Sequence, residues 1–276
     1  MRLGIRHTTR YRYEPAALRL ALRLKLFPAN TSAQRILDWK VSVNGQTVSP
    51  SVEEASGDRL GLWLRHREAE EVTIAAEGTV ETSDTAGVLR EVPDITAPPV
   101  WLRETPLTRP DPAIVRLAGE IDGETPLERL HRLSEAVHEA VAYQKDVTEA
   151  GTTAAEAMAI GAGVCQDQTH VFIAAAREMG VPARYVVGYI LTEAIEEAVV
   201  PPAETHAWGE AFVPELGWTG FDPTHKLCPT SAYVRLCCGF DADDAAPIRG
   251  NVLGETDTTL EVDLSVAAQA QSQQQS

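Results

Sequence analysis

The sequence predicts an α+β protein in two parts: an antiparallel β domain, then a domain in which helices pack on an antiparallel sheet. Three observations predict it. Apolar residues alternate with period two through about the first 90 positions, a proline-rich break follows, and the pattern then changes to helical spacing interspersed with short apolar runs.

The alternation is clearest in LRLALRLKLF, where Leu18, Leu20, Leu22, Leu24 and Leu26 share one face and Arg19, Arg23 and Lys25 the other. Trp39, Val41 and Val43, then Leu60, Leu62 and Leu64, repeat it. Strict alternation is the signature of a half-buried antiparallel strand, so residues 1–92 are expected to form a sandwich or barrel-like domain. Prolines at 93, 98, 99, 106, 110 and 112 rule out a regular helix or central strand, and make 93–113 an extended connector.

A second domain is expected over 114–266. Leu127, Leu130, Leu133, Val137 and Val141 lie at helical spacing, with Thr125 and Glu128 placed for a capping box and Pro126 at the first helical position. Thr153 and Glu156 open a second, Ala-rich helix that Gly161 and Gly163 end. A third helix runs from Cys165 to about Met179, stopped by Gly180 and Pro182. ARYVVGYI, HAWGEAFV and WTGFDP read as strands, the last two as a hairpin, and TLEVDLSV is expected to complete their sheet. Residues 267–276 are Gln-rich and expected to be disordered.

Composition narrows the function classes. A formal charge of −16 over 276 residues argues against nucleic acid or an anionic membrane surface as partner, because phosphate is repelled. No apolar run approaches the roughly 20 residues of a membrane span, and the first 15 residues lack the apolar core of a secretory signal. Four cysteines in so long a chain do not make a disulfide framework, so reduced thiols and a cytoplasmic location are expected. His225, Cys228, Cys237 and Cys238 offer zinc ligands without paired metal-site spacing, and no metal or other cofactor is expected.

Cys165 carries the chemical question. At the first turn of a helix, unpaired N–H groups and the positive end of the helix dipole favour a thiolate, and the same N–H groups can accept an oxyanion. Taken alone, Cys165 reads first as a small buried core residue. A thiolate nucleophile needs a base and an orienting group. His170 lies about 140° round the helix from Cys165 and reads as a packing or helix-surface residue. His206 opens the next strand but one, and Asp222 ends the strand after it, where hairpin pairing can set the carboxylate beside the imidazole.

The stretches GVCQDQTH and HAWGEAFVPELGWTGFDPTH, in that order, resemble the transglutaminase-like superfamily, whose core is papain-like. RHTTRYRYEP and CGFDADDAAPIRGNVLGE resemble the opening and closing segments of its bacterial members. The resemblance implies Cys165 as nucleophile, His206 as base and Asp222 as orienting carboxylate, with no metal. Gln166 stands where many relatives carry arginine. The implied reaction is acyl transfer on a peptide or amide, to water in a protease or amidase and to an amine in a transglutaminase. A catalytically silent binding module of the same fold is the alternative.

Between Arg184 and Lys226 there is no Lys or Arg, while Glu193, Glu196, Glu197, Glu204, Glu210, Glu215 and Asp222 all occur. If this segment rims the cleft, a cationic, lysine-bearing peptide or protein is the expected substrate. Trp208 and Trp218 read either as walls of an acyl tunnel or as core.

Overall fold

The computed structural model describes residues 1–201 and 204–269. The N-terminal strands are β1 (Arg2–Ala17), β2 (Arg19–Phe27), β3 (Gln34–Val43), β4 (Gln46–Val48), β5 (Val52–Glu53), β6 (Arg59–Arg65) and β7 (Ala69–Thr82), followed by the short β8 (Val88–Leu89). Then come α1 (Pro112–Glu120), α2 (Pro126–Ala140), β9 (Ala142–Tyr143), α3 (Ala154–Ile160), β10 (Ala162–Gly163) and α4 (Cys165–Glu178). The chain ends with β11 (Ala183–Ile190), β12 (His206–Val213), β13 (Gly217–Phe221), β14 (Tyr233–Gly239), β15 (Ile248–Leu253) and β16 (Asp257–Ala268).

Two sheets form the N-terminal part, in the orders β16-β1-β7-β3-β4 and β15-β2-β6-β5. A third, β14-β11-β12-β13-β8, carries the helices. Alternation decides the inward faces: Leu3 and Ile5 of β1, Leu20, Leu22 and Leu24 of β2, and Val41 and Val43 of β3 are all buried. Two details depart from the simple pattern. The β2–β6 register shifts between Leu24 and Phe27, and within the shift Lys25 is turned inward, 2% exposed. On β6, Leu60 is buried while Leu62 and Leu64 lie exposed.

The last strands do not join the sheet expected of them. β16 pairs along β1 from Leu3 with Ala268 to Glu14 with Asp257, and β15 pairs with β2. In exchange, β8 pairs with β13 at the edge of the helix-bearing sheet. The C-terminal end of the 114–266 span therefore completes the N-terminal sheets. Of the Gln-rich tail, Ala267 and Ala268 belong to β16, and residues 270–276 lie outside the described residues.

The connector holds a 3₁₀ turn at Pro98–Leu102 and runs into α1, where Asp111 Oδ1 accepts from Ala113 N at 3.1 Å and Ile114 N at 2.9 Å. Pro112, at the first helical position, loses nothing by lacking an N–H. α3 has the full capping box of Thr153 and Glu156. On α2, Thr125 accepts from Glu128 N as expected, but the Glu128 carboxylate turns to Glu124 N.

α4 is the centre of the second part. Every residue from Asp167 to Arg177 is buried, against β11 and β12 on one side and α1, α2 and α3 on the others. Close approach to the sheet requires Gly209: a Cβ there would lie 2.5 Å from Phe172 of α4. Among the described residues, no helix is long and apolar enough to cross a membrane.

Candidate active site

Cys165 is the first residue of α4, after Val164 as N-cap. The chain enters the helix through a clamp. Asp167 Oδ2 accepts from Val164 N at 2.8 Å and from Thr148 Oγ1 at 2.7 Å, and a Cβ on Gly163 would lie 2.5 Å from that oxygen. Gly161 ends α3 in the left-handed region, at φ 73°, where glycine carries no steric penalty. The amides of Cys165 and Gln166 sit in the first turn, which offers no intrahelical acceptor. Gln166 Nε2 donates to Ala150 O at 2.9 Å, tying the loop before α3 to the start of α4.

The parallel pairing of Ala142 with Ala162 and of Tyr143 with Gly163 brings β9 beside this helix start. Burial first, then the charges of Cys165 and Glu204, push Tyr143 up to about 12. Glu204, on the loop before β12, takes a 2.5 Å ion pair from Lys145 Nζ.

His206 opens β12 and Asp222 follows β13, and the hairpin sets them side by side as their spacing predicts. His206 Nε2 lies 2.7 Å from Asp222 Oδ2, with both side chains fully buried. With Nε2 engaged, Nδ1 is the ring atom left to meet Cys165; it is buried and has no partner of its own. Burial opposes charge on this ring, but the charges of Asp222 and Cys165 and the hydrogen bond to Asp222 outweigh it, pushing His206 up to about 10. Burial likewise opposes charge on Asp222, and the His206 and His225 imidazoles hold it far below the usual carboxylate range.

Three further groups meet Asp222, two of them from the turn that follows it. His225 Nδ1 and Tyr233 O–H each donate to Oδ2 at 2.7 Å, and Thr224 N donates to Oδ1 at 2.9 Å. The DPTH turn placed His225 within reach, but only β14 pairing with β11 brings Tyr233 there. His206, Asp222 and His225 form the one group of potential metal ligands among the described residues. Its donor atoms are already in direct 2.7 Å contact, leaving no gap for an ion between them. The cysteine set does not gather at a site. Cys237 donates to Ala245 O at 3.1 Å, Cys238 is buried beside it, and burial raises all three, with Cys228 and Cys238 at about 11.

His170 is a packing residue, as its helical phase predicts. It is fully buried, accepts from Ala242 N at 3.1 Å, and is lowered to about 4 by burial. Trp208 and Trp218 are both core: Trp208 stacks on His206 at 6.3 Å, and Trp218 lies under the Arg184 guanidinium at 3.9 Å.

The acidic run divides. Glu193, Glu196, Glu197 and Glu204 are exposed, but Glu210 is fully buried between Arg184 (2.6 Å) and Arg235 (2.8 Å). That cluster reaches Asp94, and through Arg235 and Asp58 it reaches Lys25 of β2, whose Nζ lies 2.7 Å from Glu54. His7 Nδ1 with Tyr189 O–H (3.1 Å) and Gln34 with the backbone of Arg235 add to the same contact. The N-terminal sheets thus back the face of the helix-bearing sheet that α4 does not cover.

Residues 115–223 match the family model of the Transglutaminase-like superfamily, and residues 3–81 match that of the Bacterial transglutaminase-like N-terminal region. Residues 115–223 thus carry a transglutaminase-like core, preceded in the same chain by the bacterial N-terminal region. An uncharacterized protein of Mycobacterium leprae is 26% identical over 95% of this chain and 96% of its own length. One of Mycobacterium tuberculosis is 24% identical over 96% and 91%. A protein-glutamine gamma-glutamyltransferase of Pseudomonas aeruginosa is 36% identical over 70 residues, 24% of this chain and 10% of that protein. The same fold occurs in the crystal structure of a "putative cysteine protease" from Cytophaga hutchinsonii, with a TM-score of 0.73, 22% identity and coverage of 98% and 92%.

Proposed function

We propose that the protein is a cysteine-dependent acyltransferase acting on a peptide or amide, with Cys165 as nucleophile, His206 as base and acid, and Asp222 as its orienting carboxylate. One observation carries this reading: a fully buried imidazole is bonded to a carboxylate through Nε2 and keeps Nδ1 without a partner, while a thiol whose charge acts on the ring sits at a helix start. Thiolate attack on the carbonyl carbon forms the C–S bond and an oxyanion facing the amides of the first turn. Collapse breaks the C–N bond, and the leaving amine takes the proton from His206. Water or a second amine then attacks the thioester, giving its proton to His206 and releasing the Cys165 thiolate. The likeness over 70 residues to a gamma-glutamyltransferase, and the fold shared with the "putative cysteine protease", support both acceptors.

The exposed glutamates at 193, 196, 197 and 204 precede His206, and the Glu204 charge reaches Tyr143 beside Cys165. A cationic, lysine-bearing peptide or protein is the proposed substrate, and the four free cysteines support a reducing, cytoplasmic setting. Mass spectrometry of a peptide library treated with wild type or Cys165→Ala, with and without an amine donor, tests the reading. Amine incorporation by wild type alone identifies a transglutaminase, and hydrolysis by wild type alone a protease or amidase. Identical spectra for the two proteins refute the reading. A KM for lysine-bearing peptides that does not rise with salt refutes the cationic preference.

A further inference from the structure

Orienting His206 needs one acceptor, yet the oxygen that does so is shared three ways. Asp222 Oδ2 accepts 2.7 Å hydrogen bonds from His206 Nε2, His225 Nδ1 and Tyr233 O–H alike. The fold takes trouble to bring His225 there. Asp222 and Leu227 close a tight turn through Asp222 N to Leu227 O at 2.8 Å, with Lys226 in the left-handed region at φ 55°. The turn is held from outside: His138 Nδ1 donates to Pro223 O at 2.9 Å, and Thr224 Oγ1 to Gln168 Oε1 at 2.7 Å. Gln168 is anchored in turn on Val141 O at 2.7 Å. The His225 ring is 1% exposed and its Nε2 has no partner, so burying it beside an oxygen already serving His206 is otherwise unexplained.

The chemistry of sharing supplies an explanation. A carboxylate oxygen with three short donors divides its charge among them, so it pulls less on any one proton. Left to His206 alone, the same buried charge would hold the imidazolium proton too firmly for an acid that must give it up near neutral pH. The titratable groups around the pair are Cys165 from α4, Tyr233 from β14, and His225 and Cys228 from the turn after β13. Only His225 and Tyr233 donate to the oxygen His206 uses.

We propose that His225 and Tyr233 are positioning residues that share Asp222 Oδ2 with His206, fixing the carboxylate and moderating its hold on the His206 proton. The inference rests on the acyl-transfer reading. It is tested without a substrate, by the pH dependence of Cys165 alkylation with iodoacetamide, followed by mass spectrometry. In a thiolate–imidazolium pair, the high-pH limb of that profile reports loss of the His206 proton, and His206→Ala should abolish the limb. His225→Leu and Tyr233→Phe should each move the limb to higher pH by about one unit, a tenfold change in proton affinity. His225→Asn, whose amide nitrogen replaces Nδ1, should restore most of the wild-type position. Urea unfolding checks that each variant is folded, and Tyr233→Phe, lacking one oxygen, serves if His225→Leu is not. A limb that stays in place or moves to lower pH in a folded variant overturns the proposal. A wild-type profile indifferent to His206→Ala refutes the acyl-transfer reading instead, so the two failures are distinct.

Discussion

Replacing Glu210 by Gln tests how the two halves of the molecule are joined. Its carboxylate is fully buried and bonded to Arg184 Nε at 2.6 Å and to Arg235 Nε at 2.8 Å. Burial would raise its proton affinity, but the two guanidinium charges more than reverse this, so Glu210 stays ionised. The cluster is balanced: Arg23, Lys25, Arg184 and Arg235 stand against Glu54, Asp58, Asp94 and Glu210. Gln keeps the shape, removes one negative charge and leaves a net positive charge out of water. Breaking one partner of a buried pair costs about 3–5 kcal/mol. Asp94 still holds Arg184 and Asp58 still faces Arg235, so the lower end, about 3 kcal/mol, is expected. At about 2–4 °C per kcal/mol for a chain of this size, Tm falls by about 6–12 °C. Thermal and urea unfolding followed by circular dichroism measure this. Glu193→Gln, from the same acidic run but exposed, is the control and should stay within about 0.5 kcal/mol. Equal small losses in both variants would refute the claim that this cluster ties the sheets together.

Three further outcomes are expected. Asp167→Ala frees the entry to α4 and leaves Val164 N and Thr148 Oγ1 without their acceptor, costing about 2–4 kcal/mol in urea unfolding and slowing Cys165 alkylation; unchanged alkylation in a folded variant counts against the clamp. Iodoacetamide at neutral pH should label Cys165 well before Cys228, Cys237 and Cys238, which burial holds protonated, and peptide mapping that finds another cysteine labelled first contradicts this. Stability should fall as pH drops from 6.5 towards 4, because burial lowers His7 and His170 to about 4 and only the unfolded chain takes up their protons there. Unfolded His206 titrates near 6.5 while the folded ring, raised to about 10, stays protonated, so His206 partly offsets this loss at the top of the window and adds no slope below about pH 5.5. Urea midpoints that stay flat from about pH 5.5 to 4.5 would count against the buried neutral histidines.

What the sequence by itself determined is what local periodicity and chain order encode. Alternation set the inward faces of β2 and β3, and helical spacing with Gly180 and Pro182 bounded α4. The spacing of His206 and Asp222 around a hairpin turn placed imidazole and carboxylate together, because register follows from the turn. The phase of His170 on α4 removed it from the site for the same reason. Tertiary structure decided whatever depends on which faces meet. A period-two strand looks the same in any sheet, so nothing local sends β16 to β1 or β8 to β13. Charge in a sequence reads as exposed, yet Lys25 and Glu210 are buried, because residues from both halves converge to neutralise them. Tyr233 reaches Asp222 from 11 residues away through strand pairing. One carboxylate oxygen therefore serves three donors, an arrangement with no signature in the spacing of the residues that make it.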